Sequence, residues 1–278
     1  THLAIDLAAR GRRVLLVDGD CWSASVAQLL GIPESPSVTK AARLAADGWP
    51  EPLSSCVHPG PRGVRVLTGL PRADLWPEIR DRSWLAVLDR ARSEAELVVV
   101  DVAAPIEEDE ELSFDRVPYR RNLMTRVALR EADRVVVVAD AAPLGLRRAI
   151  FAHRQLRTEL PRAAERSELV CNRAPSNDGL RRQLAAELER WCGVTPSGFL
   201  SRERAFERAA WEGLPLHEAA PRSHWLRELR SLGLVEDLAR APVAAVGRVV
   251  PRRVPGIDAV PVAARGAAVS GDEWMFRI

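Results

Sequence analysis

Short continuous apolar runs alternate along the chain with stretches whose apolar positions recur every three or four residues. The first run, Arg12-Arg13-Val14-Leu15-Leu16-Val17-Asp18-Gly19-Asp20, closes on two carboxylates around a glycine. That pattern predicts a buried parallel strand over 14–17 that ends at a site. Before it, Leu3, Ile5, Leu7 and Ala8 fit the later part of a helix over 2–10, with Gly11 placed to end it. Short helices are expected over 26–31 and 38–48, then a loop over 50–63, and a short strand over 64–69 at a sheet edge. A helix over 81–93 leads into a second buried strand over 96–101, which ends in Asp101.

Between 102 and 126 the pattern breaks into Pro105, an acidic run over 107–111 and Arg120-Arg121, as in a solvated loop. Third and fourth buried strands are expected over 134–139 and 168–173, with helices over 146–159 and 180–191. A last strand over 198–200 and helices over 203–211 and 225–240 complete a domain spanning 1–238. In the remainder, 239–278, Pro242, Pro251, Pro255 and Pro261 interrupt every possible element, so a disordered tail is expected. Arg252-Arg253 and Trp274-Met275-Phe276 are its candidate docking residues.

Strands alternating with helices imply an α/β fold: a doubly wound, mostly parallel sheet with helices on both faces. A helix that feeds directly into a buried strand is the second half of a βαβ unit, so the first strand is expected upstream of Thr1. Such a strand is usually central, and without it two neighbours would be left unpaired.

A formal charge of +2 over 278 residues gives no whole-molecule field toward nucleic acid or an anionic membrane. Lys40 is the only lysine. Cys21, Cys56, Cys171 and Cys192 show no CxxC spacing and read as reduced thiols of a cytoplasmic protein. No apolar run approaches the roughly 20 residues of a membrane span.

The chemistry gathers where strands end. Asp18, Asp20, Asp101, Asp140 and Asn172 each fit a turn or a helix cap when taken alone; together they would line one edge of the sheet, where open α/β sheets bind ligands. A nucleotide with magnesium suits such an edge, one carboxylate holding the metal's water shell and another orienting an attacking water. A P-loop needs a Gly-rich turn and a lysine opening a helix, and Lys40 has neither context. An acidic residue after a strand can also bind a ribose in a dehydrogenase, but that reading leaves Asp101 and Asn172 without roles.

In order along 1–238, residues 3–20, 27–31 and 97–101, Ala132-Asp133-Arg134-Val135 leading to Ala142-Pro143-Leu144, and Val170-Cys171-Asn172-Arg173 resemble the MinD/ParA group of deviant P-loop ATPases. Residues 109–115 with Arg120-Arg121-Asn122 are similar to its CpaE/TadZ-like members. The resemblance implies ATP and Mg2+ as cofactors, with Asp20 as the catalytic carboxylate that orients water and Asp18 as its neighbour near the metal. Asp101 would act on magnesium through a water, and Asn172 and Arg173 would bind the adenine edge. Thr1 is a further metal-binding candidate, although family spacing places it within the first helix. The implied role is an ATP-dependent switch in polar localisation or assembly of a pilus or secretion system. A nucleotide-dependent homodimer and a protein partner from that system go with it. The alternatives are a catalytically dead docking module and a chromosome-partitioning ATPase, with DNA binding disfavoured by the near-neutral charge.

Overall fold

The structure is a computed structural model that describes residues 1–108 and 120–240. These fall in one compact unit, Thr1–Gly247. The tail over 239–278 lies outside the described residues from 241 onward, as does most of the CpaE-like stretch.

The chain opens with α1 (His2–Ala9), β1 (Val14–Gly19), the short α2 (Val26–Leu29) and α3 (Val38–Ala46). It continues through β2 (His58–Pro59), β3 (Arg65–Leu67), α4 (Asp81–Glu94) and β4 (Leu97–Val102). After α5 (Leu123–Glu131) come β5 (Val135–Asp140), α6 (Pro143–Glu159), α7 (Pro161–Glu165) and β6 (Ser167–Ala174). The last elements are α8 (Asp178–Cys192), β7 (Gly198–Ser201), α9 (Ala205–Glu212), α10 (Leu216–Ala219), α11 (His224–Ser231) and α12 (Gly233–Arg240).

Local chemistry sets several boundaries. Gly11 closes α1 at φ +86, a left-handed conformation that side chains with a Cβ rarely adopt. Ser37, Asn177 and Ser223 start α3, α8 and α11 by accepting a backbone N–H with the side-chain oxygen.

β1 is buried along its whole length because helices cover both of its faces. Leu15 and Val17 join one core with residues of α3, α4 and α5, whereas Val14 and Leu16 join another with residues of α1, α11 and α12. The alternation is the two-residue period of a strand divided between two helical layers. One sheet runs β2-β3-β1-β4 and the other β5-β6-β7, with every pairing parallel except β2 to β3. The architecture is thus a doubly wound, mostly parallel sheet.

The interruption of that sheet is its most informative feature. Among the described residues β4 pairs only with β1 and β5 only with β6, so each presents an open edge there. Leu97 and Val99 of β4 and Val136 of β5 nevertheless pack on one shared apolar layer. On the side of α5 and α6, Arg126 pairs with Glu159.

Five expectations change, the first being that residues 123–126, expected to be loop, open the helix α5. The strand at 64–69 is not an edge, since β3 lies between β2 and β1. The strands ending in Asp101 and Asp140 are not deeply buried: β4 is half-buried throughout and Val138 of β5 is 60% exposed, because each lacks a neighbour on one side. Thr1 stands at the N-cap of α1, outside the helix. The helix expected over 225–240 is two helices, broken where Leu232 turns extended ahead of Gly233.

Candidate functional site

The strand register sorts the polar strand ends into two pairs. Asp18 lies opposite Asp101 at the carboxyl end of the first sheet, and Asp140 lies opposite Asn172 at the carboxyl end of the second. No hydrogen bond or ion pair joins the two groups among the described residues.

Asp18 is the buried member, only 1% exposed. Its Oδ2 accepts the backbone N–H groups of Ser25 and Val26 at 3.0 Å each, and Oδ1 accepts that of Asp20 at 3.2 Å. The carboxylate therefore shapes the turn that leads into α2. Burial pushes its pKa up to about 6; the three N–H donors oppose that shift, and the nearby Asp101 carboxylate adds to it. Gly69 makes this approach possible, because a Cβ there would lie 2.8 Å from Asp18 Cγ and 2.5 Å from the Ala24 Cβ. Sequence reading missed Gly69, which stands one residue past an ordinary Thr after a strand.

Asp20 turns back on its own loop, its Oδ1 accepting the N–H groups of Trp22 at 2.7 Å and Ser23 at 2.9 Å. That loop is clasped to the segment entering α5. Arg121 stacks 3.4 Å from the centre of the Trp22 ring, the Trp22 indole donates to Asn122 Oδ1 at 2.9 Å, and the Cys21 thiol donates to the Arg121 carbonyl at 3.0 Å. Asn122 in turn donates to the Glu107 carbonyl at 3.0 Å. Trp22 carried no sequence signal beyond a loop, and Asn122 entered only as part of the CpaE/TadZ-like stretch.

Asp101 is more open, with its side chain 46% exposed, and Oδ2 accepts the Thr1 hydroxyl at 3.1 Å. Hard oxygen donors of this kind suit magnesium, which keeps much of its water shell and binds through few protein groups. Thr1 and Asp101 fit that chemistry, whereas both oxygens of Asp18 are already engaged by backbone. No group of three or more His, Cys, Asp or Glu side chains able to hold a metal occurs among the described residues.

In the second pair, Asn172 Oδ1 accepts the backbone N–H of Arg173 at 2.9 Å and the Trp225 indole N–H at 3.1 Å. Arg173 has φ +56 and pairs with Asp140 at 3.3 Å. A non-glycine residue in that region is uncommon and marks a place where the surroundings fix the backbone. Trp225, in a helix of apolar periodicity, reads from sequence as core only. All four cysteines are buried free thiols.

No protein-family model matches the sequence, and no curated protein matches it. Solved structures do. A ParA family ATPase from Chlorobium tepidum TLS superposes with TM-score 0.66 at 18% identity, over 85% of this chain and 90% of that one. The fold is that of the MinD/ParA ATPases. The cell division ATPase MinD from Pyrococcus furiosus gives TM-score 0.62 at 17% identity, over 85% of this chain and 89% of its own. MinD from Pyrococcus horikoshii OT3, solved with Mg-ADP, gives 0.64 at 16% identity, over 86% and 88% of the two chains. These MinD/ParA likenesses carry the topology; the chemistry of this chain rests on its own residues. No helix among the described residues is long and apolar enough to cross a membrane.

Proposed function

We propose that this protein is an ATP-binding switch of the MinD/ParA type. The observation that carries this reading is the contact of Thr1 with Asp101 at the end of β4, a strand whose other edge is open. A further parallel strand seated between β4 and β5 would cover both open edges, and a loop leaving its carboxyl end would meet the start of α1 at Thr1. A right-handed crossover through α1 to β1 follows from the order of the elements.

In this reading Thr1 and Asp101 hold hydrated magnesium, which screens phosphate charge when bound. Asp20 orients the attacking water once released from its own loop, and Asn172 and Arg173 hold the base. Asp18 fixes the turn that carries Asp20. The solved MinD with Mg-ADP supports the nucleotide and the metal by analogy of fold. A nucleotide-dependent homodimer follows the same analogy. The finer role, in polar localisation or assembly of a pilus or secretion machine, rests on the CpaE/TadZ-like resemblance alone.

One observation favours a second reading, a docking module without turnover. Lys40, the only lysine, pairs with Glu51 at 2.9 Å on α3. Calorimetry on the full-length protein decides between them: magnesium-dependent ATP binding is expected, and its absence favours the docking module.

A further inference from the structure

We infer that Trp22 closes an autoinhibitory latch on Arg121 and Asn122, keeping Asp20 turned into its own loop until nucleotide releases it; this rests on the nucleotide reading above. The loop over 20–24 is held at two places. At its far end the buried Asp18 accepts the backbone N–H groups of Ser25 and Val26 at 3.0 Å each. Its tip is held by the Trp22 side chain, whose indole donates to Asn122 Oδ1 at 2.9 Å and whose ring carries the Arg121 guanidinium 3.4 Å from its centre. Asn122 is 4% exposed and its amide is engaged on both sides, since Nδ2 donates to the Glu107 carbonyl at 3.0 Å. Just beyond it, the core residue Trp84 donates to the Met124 carbonyl at 3.0 Å, which ties the start of α5 to α4. The latch thus joins a surface loop to a firmly packed base.

The closed latch acts on Asp20 through the backbone. Asp20 Oδ1 accepts the N–H groups of Trp22 at 2.7 Å and Ser23 at 2.9 Å. While the Trp22 ring stays against Asn122, its N–H stays beside that oxygen. Once the ring swings out, residues 22 and 23 can rotate, and the Asp20 oxygen is bared for a water. The ring is 42% exposed, so no core is unpacked when it leaves. Cys21 lies at the latch, 1% exposed, with its thiol donating to the Arg121 carbonyl at 3.0 Å.

A ligand opens a latch only by binding the open state better than the closed one. Polyphosphate at the carboxyl ends of β1 and β4 does so by offering the Arg121 guanidinium a full negative charge in place of a ring face, the stronger of the two partners. Trp22 is then left with its single hydrogen bond to Asn122, and the loop opens.

The test is the rate at which iodoacetamide alkylates Cys21 in the full-length protein, read peptide by peptide in a mass spectrometer. Cys56, Cys171 and Cys192 are buried free thiols and serve as internal controls. Magnesium with a non-hydrolysable ATP analogue is expected to speed alkylation of Cys21 by about tenfold and to leave the controls unchanged. Trp22→Ala should be alkylated about tenfold faster without nucleotide, the effect of losing one ordinary hydrogen bond, and gain little more when nucleotide is added. Trp22→Phe keeps a ring for Arg121 and loses the indole N–H, so its rate should fall between the two. An analogue that binds by calorimetry without exposing Cys21 overturns the inference, as does a Trp22→Ala rate equal to that of the unmodified protein. A rise in all four thiols together also overturns it, because the clasp then only holds the fold. Failure of the analogue to bind overturns the nucleotide reading itself, and the inference with it.

Discussion

The Thr1 hydroxyl donates to Asp101 Oδ2 at 3.1 Å, joining the N-cap of α1 to the end of β4 across 100 positions of sequence. The bond is local to a half-exposed carboxylate, so its contribution to stability is small while its place at the sheet's carboxyl end is consequential. Asp101→Asn keeps an oxygen to accept the hydroxyl. It should change unfolding free energy by less than about 1 kcal/mol, the range for exposed polar pairs. Magnesium-dependent nucleotide binding should fall by about tenfold or more, since the amide has no charge to offer a hydrated cation. Calorimetry with and without magnesium distinguishes the two effects; equal binding by the variant would remove Asp101 from the metal site.

Asp18 predicts a pH dependence. Burial raises its folded pKa from 3.8 to about 6, so between those values the folded state holds a proton that the unfolded chain has released. The stability it contributes is therefore complete below the unfolded value and is lost as pH rises through the folded one. The sign is opposite to that of a salt-bridged carboxylate. Asp18→Asn should flatten this part of the stability profile, by roughly 1–3 kcal/mol between pH 4 and 6.5. Urea titrations across that range provide the measurement, and an unchanged slope would mean that Asp18 titrates normally.

Val138 tests the open edge directly. A β-branched residue in the middle of a parallel strand is normally core, yet this one is 60% exposed. Val138→Lys should lower the melting temperature by no more than about 2–3 °C, while reducing aggregation on heating, because lysine at a strand edge discourages pairing between molecules. Differential scanning fluorimetry with light scattering reads both. A loss of stability on the scale of a core substitution would show that the edge is covered.

What could be read from the sequence follows from where the physics is local. Val14 to Val17, Val135 to Val138 and their terminal carboxylates announce themselves by residue type, and the parallel register then follows from the helices between them. Burial is different, because it depends on neighbours: Val138 and Val99 have the same composition signal as Val17, but they lie on strands with an open edge, where Val138 is exposed and Val99 only partly buried. α5 escaped notice because Thr125 and Arg126 interrupt its apolar face, although both are buried. At the site, Asp18 and Asp101 were legible as strand ends. Gly69, Trp22 and Trp225 were not, since each acts through a contact distant in sequence.

Arg126 supplies the last prediction. Its side chain is 7% exposed, donates to the Ile106 carbonyl and pairs with Glu159, with Glu108 3.4 Å away, so one guanidinium ties the chain after β4 and the helix α5 to α6. The tie lies beside an apolar cluster that joins the same segments through Ile106, Leu129, Val135 and Leu156. Arg126→Ala removes the cation, leaving the Ile106 carbonyl without its donor and Glu159 with Gln155 as a remaining partner, at a cost of about 2–3 kcal/mol. Replacing both partners, Arg126→Met with Glu159→Gln, removes the charges together and should recover more than half of that loss, because the desolvation cost of the pair disappears with them. Guanidinium titrations of the two variants provide the comparison. If the double variant is no more stable than Arg126→Ala, the arginine acts through packing of its stem and not through the pair.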